Sequence, residues 1–323
     1  VAYTGLLLSG GALTILLLFF VKWESRRIVL GNGVGDQALG NPLAVAAMAG
    51  MVALIAVLAH PWPQSTIWMP FKWILVALCL ALIVKSGSRG QLLGVIVLAA
   101  SCLPISRRIG NPRQFFSWII LLIFFIGITA WTLQEFWAKE EGYYAGGSRW
   151  SEQAMEGAMS GRLAQAVYLI GLWFGSPETI VLGLGNSASI DPRILGIYPH
   201  FVPLEILAEE GLIGFGLYAM ILYHSLRSGV RCFRIVADNP EERPILGALV
   251  ALFLFTLLLS LKQGSMLLNL ELFMVAIILG KYERILRQGL APYEHNLERT
   301  ETNIHMLKTS TQSRGLLSVP EAI

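Results

Sequence analysis

Apolar positions in this chain come in long blocks rather than in alternation. Eight stretches, at about 4–21, 42–59, 67–84, 91–105, 115–134, 203–226, 244–260 and 264–280, are almost free of charge. A helix needs roughly 20 mainly apolar residues to cross a bilayer, and each block is close to that. The period-two pattern of membrane barrels is absent. The expected fold is all-α: a polytopic helical membrane protein with one large extracytoplasmic loop carrying short interfacial helices. The longest polar interruption is 135–202, which holds "EFWAKEEGYYAGGSRWSEQ" and "SGRLAQAVYLIGLWFGSP". In the second string Ser160 is a helix cap by residue type, and Gly175 and Pro177 are stops. The segment between them reads as amphipathic, too short to span, and lying at the membrane surface.

Four regions follow: N-terminal membrane helices over 1–134, a periplasmic loop over 135–202, C-terminal membrane helices over 203–280, and a polar tail over 281–323. The tail is rich in Thr and Ser and is expected to be disordered at its end. Val1 already lies within an apolar run, so further helices are expected upstream.

Composition supports the membrane class. Of 323 residues, 55% are hydrophobic and 14% charged, against roughly 25% charged in soluble domains. The net charge of +3 is small, and no nucleic-acid partner is expected. Cys79, Cys102 and Cys232 show no ligand spacing, so neither a disulfide framework nor a zinc site is indicated. Asp-x-Asp does not occur, and no metal or other cofactor is expected.

Charge placement says more than charge total. "SRRIGNPRQ" (106–114), 227–243 and "KYERILRQ" (281–288) are rich in arginine and share the same parity. The positive-inside rule puts them in the cytoplasm. Lys22, Arg26 and Arg27, together with Lys85 and Arg89, then lie outside, as do Arg149, Arg162, Arg193 and Lys262. A cation at the bilayer centre costs about 2.5–3.5 kcal/mol on insertion scales, and less near an interface. Cations kept outside against the bias suit an arriving anion, such as a lipid phosphate or diphosphate. Taken singly, each also fits a side chain snorkelling to headgroups. Arg89 stands out, since Ser86, Gly87, Ser88 and Gly90 form a small-residue turn where backbone N–H groups and a cation can meet one anion.

A second constellation covers 182–218, "LGLGNSASIDPRILGIYPHFVPLEILAEEGLIGFGLY". Gly183 and Gly185 read as a flexible approach, and Asp191-Pro192 as a turn. His200 precedes a helix that carries Pro203 in its first turn and Glu209 and Glu210 early on. Gly211, Gly214 and Gly216 read as a helix-packing face. His200 is the one histidine in the outer loop. At an ordinary pKa near ~6.5 an imidazole can take a proton from a hydroxyl at neutral pH; a capping role for the ring is the alternative.

These motifs, "SGSRG" (86–90), "SGRL" (160–163), "LGLG" (182–185) and "HFVPLEILAEEGLIG" (200–214), with "LGNPLAVAAM" (39–48), follow one another in an order and approximate spacing that resembles the O-antigen ligase and polysaccharide polymerase superfamily. The resemblance covers roughly 22–280. It implies a membrane glycosyltransferase of the bacterial inner membrane, metal-independent and acting at the periplasmic face. The glycan would pass from an undecaprenyl-diphosphate carrier to a glycan, lipid or protein hydroxyl. By motif position, His200 would be the base, Arg89 and Arg162 would bind diphosphate, and Glu209 would match the glutamate after the histidine. Lys22, Arg27 and Lys85 are looser candidates for the same anion. Phe201 departs from the family's usual small polar residue after the histidine. Alternatives are a transporter for an anionic solute, which would place charges near the membrane midplane, and an inactive structural subunit of a membrane complex.

Overall fold

An apolar run without water must satisfy its own backbone, and helices do so within one segment. The computed structural model describes residues 2–24, 27–30, 38–59, 68–107, scattered positions between 113 and 127, 152–197, 199–262, 265–266 and 269–288; Tyr198 and the other intervening residues lie outside that description. Its helices are α1 (Ala2–Phe19), α2 (Pro42–Leu58), α3 (Trp68–Lys85), α4 (Arg89–Ser106), α5 (Glu152–Trp173), α6 (Pro177–Leu182), α7 (Val202–Val236), α8 (Arg243–Ser260) and α9 (270–288). Helices α7 and α8 are long and apolar enough to cross a membrane; α1, α2 and α4 contain shorter apolar stretches. The expected fifth block, 115–134, lies largely outside the described residues.

The outer connection expected over 22–41 contains a small sheet. Trp23–Glu24 (β1), Arg27–Leu30 (β2) and Ala38–Gly40 (β3) form a small antiparallel sheet in the order β1-β2-β3. Ile28 and Val29 are β-branched, which favours the pleated backbone. Asn41 then caps α2, accepting from the Leu43 N–H at 2.9 Å, and Pro42 occupies its first turn.

Helix α2 lies at the centre and packs against α1, α3, α4 and α8. Its contact surface is made of small residues: Ala46, Ala49 and Ala53 are fully buried. A Cβ on Gly50 would fall 2.5 Å from the Phe255 ring, and one on Gly94 of α4 would fall 3.3 Å from it. The two glycines leave a notch that admits the ring of α8. Small residues at these positions let the helix backbones approach closely.

Contacts between helix ends sort the chain into two faces. On one, Tyr3 Oη donates to Ile245 O (3.2 Å), Ser106 Oγ to Leu58 O (2.6 Å), and Lys72 Nζ to Val57 O (2.8 Å). On the other, Lys85 Nζ donates to Leu18 O (3.1 Å), and Met266 N–H to a Glu205 carboxylate oxygen (3.1 Å). Helices α1 to α4 therefore alternate in direction, and so do α7 to α9, with α7 running the same way as α4.

Three expectations about the helices are revised. Helix α5 begins at Glu152, so Ser160 lies inside it rather than capping it. Its 22 residues make it long enough to reach across a bilayer, but Glu152, Glu156 and Arg162 make its first half polar. Helix α9 starts at 270 rather than 264 and runs unbroken through the boundary expected at 280. Gly211, Gly214 and Gly216 do not form a helix-packing face: among the described residues a Cβ on Gly216 would meet nothing within 4 Å, and Gly211 interrupts α7.

Candidate functional site

The break at Gly211 organises the region around His200. Gly211 has φ 65° and ψ −164°, and Gly183, which ends α6, has φ 83° and ψ −178°. Essentially only glycine adopts that backbone. The break frees carbonyls at the end of the segment Val202–Glu210. Leu184 N–H donates to Ala208 O (2.8 Å) and Gly185 N–H to Glu209 O (3.0 Å). The stretch 183–185, expected to be a flexible approach, is thus pinned along the end of a helical segment.

Glu209 secures the next stretch. Its carboxylate accepts from Ser187 N–H (2.8 Å), Ser189 N–H (3.0 Å) and Ser189 Oγ, and the residue is buried. Three donors on one carboxylate make strong, charge-assisted bonds. Ser189 O in turn accepts from Ile197 N–H (3.1 Å), and Asp191 closes its turn by accepting from Arg193 N–H (2.9 Å). Glu209 therefore holds the loop that leads to His200; its oxygens face that loop.

His200 is half-buried and has φ 58°. A non-glycine residue in the left-handed region stores strain, a feature that clusters at functional sites. Phe201 follows in extended conformation, and its carbonyl accepts from Leu204 and Glu205 N–H, starting α7 with Pro203 in its first turn, as expected. Burial, and second the positive charge of Arg162, hold the His200 imidazole below the ordinary histidine range. Near neutral pH the ring is therefore neutral and able to accept a proton.

Arg162 also reaches the α8–α9 connection: its Nη1 donates to Lys262 O at 3.3 Å. The Lys262 side chain lies against Gly90, where a Cβ would fall 1.9 Å from Nζ. Gly90 directly follows Arg89, the first residue of α4. The structure thus brings His200, Arg162, Lys262 and the turn containing Arg89 to one end of the bundle. The Arg89 side chain lies outside the described residues. Buried Ser88 and Gln91 flank the turn, and the Ser88 hydroxyl has no hydrogen-bond partner among the described residues.

The remaining candidates stand differently. Lys85 is engaged by α1, with Nζ on Leu18 O and 5.5 Å from the centre of the Trp23 ring; it neutralises the negative end of that helix. Lys22 is exposed beside Trp23, whose Nε1 donates to Leu17 O at 2.8 Å, so it sits at the same end of α1. Arg27 pairs with Glu24 in sheet register, and its side chain is outside the described residues. From the sequence alone Lys262 reads only as an outer cation. The signal that could have promoted it is its place in the tight link Lys262-Gln263-Gly264.

Comparison with protein-family models gives no match, and no curated protein matches the chain.

Proposed function

We propose that this protein is a polytopic membrane glycosyltransferase of the O-antigen ligase or polysaccharide polymerase type. It would move a glycan from an undecaprenyl-diphosphate-type carrier to an acceptor hydroxyl at the periplasmic face of a bacterial inner membrane. The observation that carries the reading is the gathering of Arg162, Lys262 and the Arg89 turn beside a half-buried imidazole.

In this mechanism His200 takes the proton of the acceptor hydroxyl. The oxygen attacks the anomeric carbon of the lipid-linked sugar. The bond from that carbon to the diphosphate oxygen breaks, and its electron pair leaves with the diphosphate. Attack opposite the leaving group inverts the anomeric centre. Arg162, Lys262 and Arg89 stabilise the charge that grows on the departing diphosphate, the kind of preorganised electrostatic help that counts most in group transfer. Arginine suits this because its planar fork can bind two phosphate oxygens at once. The step is metal-independent, since the side-chain cations supply the positive charge.

The test is to incubate the purified chain with undecaprenyl-diphosphate-linked oligosaccharide and a panel of glycan, lipid and peptide hydroxyl acceptors. Acceptor-dependent release of undecaprenyl diphosphate, with an inverted linkage in the product, is the expected result. Donor that stays intact with every acceptor would count against transfer.

A further inference from the structure

The end of the bundle opposite His200 carries a cavity with charged residues in its lining and an apolar groove, neither of which glycan transfer uses. The cavity, about 430 Å³, is lined by Ser106, Arg107, Asp238, Pro240 and Arg243, where α4 ends and the α7–α8 connection turns back. The Arg243 guanidinium is fixed across two helix ends: Nε donates to Ile105 O (3.1 Å), Nη2 to Pro104 O (2.7 Å) and Nη1 to Ala237 O (3.0 Å). A guanidinium has five N–H donors, so these three bonds orient it without exhausting it. Two arginines against one aspartate leave the lining net positive.

The groove, about 310 Å³, lies one helical turn further along α7 and α8. Ile105, Gly229, Phe233, Leu246, Val250 and Phe253 line it. Ile105 and Ser106 are consecutive, Leu246 lies three residues beyond Arg243, and Phe233 four before Ala237, so the two spaces adjoin along three helices. Both volumes fall in the range of small-molecule sites. A cationic cavity continued by an apolar groove along spanning helices matches an amphiphile with an anionic head.

We infer that this end binds one anionic glycerophospholipid of the adjacent leaflet, its phosphate at Arg107 and Arg243 and one acyl chain between α7 and α8. The site depends on the chain lying in a membrane but not on any transfer chemistry. Basic pockets between membrane helices commonly take anionic headgroups.

The test is native mass spectrometry of the full chain in detergent, titrated with dioleoylphosphatidylglycerol or dioleoylphosphatidylcholine. The phosphatidylglycerol adduct should be retained in preference. Arg107→Gln should weaken it by about fivefold, the factor one basic side chain is worth at an anionic lipid surface, and leave phosphatidylcholine unchanged. Gly229→Leu should weaken both lipids by filling the groove; a Cβ there meets Leu279 and Val250 only at 3.7 Å, so a side chain can be added. His200→Ala should change neither. Equal retention of the two lipids, an unaltered Arg107→Gln adduct, or loss on His200→Ala would overturn the assignment. So would crosslinks that place another segment of this chain in the groove.

Discussion

Gly183 and Gly211 pass each other backbone against backbone: a Cβ on Gly183 would fall 2.1 Å from the Glu209 carbonyl oxygen, and one on Gly211 2.3 Å from that of Val181. Both clashes are with main chain, so no side chain can swing away to relieve them. Gly183→Ala and Gly211→Ala should each destabilise the protein by at least about 1–3 kcal/mol, the usual scale of a disallowed backbone state. Gly216→Ala, in the same helix as Gly211 and with nothing within 4 Å among the described residues, should be neutral or slightly stabilising. Thermal unfolding in detergent separates the three.

Glu209→Gln keeps the shape but replaces one acceptor oxygen by an amide donor, which must face a donor of the 187–189 turn. The loss should be about 1–3 kcal/mol, whereas Ser189→Ala, which removes one of the three bonds, should cost about 1 kcal/mol. Because Glu209 acts through the loop rather than on substrate, Glu209→Gln should lower the transfer rate with little change in donor affinity. A large rise in donor Kd with an unchanged rate would instead put the carboxylate on the substrate.

The depressed His200 pKa sets a pH dependence with a definite sign. The base must be neutral, so transfer should be level above the folded-state pKa and fall as pH drops through it. That inflection should lie below the ordinary histidine value of about 6.5. Arg162→Gln removes the second cause of the shift and should move the inflection up; burial, the first cause, remains, so the move is partial. Stability shares the sign. Between the folded pKa and about 6.5 the unfolded chain holds more protons, so the His200 contribution falls as pH drops through that window and is level below it. A pH–rate profile of both proteins is the measurement.

Much of the bundle was legible because its helices are apolar along their length. The stretches 42–59, 67–84, 91–105 and 244–260 fall on α2, α3, α4 and α8 within two residues at either end. The start of α7 was legible from local chemistry, through Pro203 after His200. What was hidden depends on distant partners. Nothing in 264–280 says that Met266 N–H is held by Glu205 or that α9 begins only at 270. Gly211 looks like any small residue in a packing motif until Val181 and Gly183 lie against it. The sequence leaves the role of Glu209 open between chemistry and helix; its bonds to Ser187 and Ser189 come from a turn some 20 residues away. The β1–β3 sheet escaped notice because strands of two to four residues leave no periodicity to read.

Gly90→Ala offers a mild way to disturb the cation cluster. Its Cβ would collide with the Lys262 amine and Cε, the far end of a flexible side chain, so the lysine can move at small cost. The variant should fold normally and bind the lipid diphosphate several-fold less tightly. Lys262→Met should do the same, and the double variant should add little. Fully additive losses in a donor-binding titration would mean that the two positions act separately.

The proposed role of His200 as the base, at the end of the bundle where Arg162 and Lys262 gather, stands or falls with single-turnover transfer from undecaprenyl-diphosphate-linked oligosaccharide by His200→Ala beside the parent chain, donor Kd being measured in parallel. The variant should bind donor within about twofold of the parent but form product at least about 100-fold more slowly, the usual size of a general-base contribution. Product formation at the parental rate would contradict it.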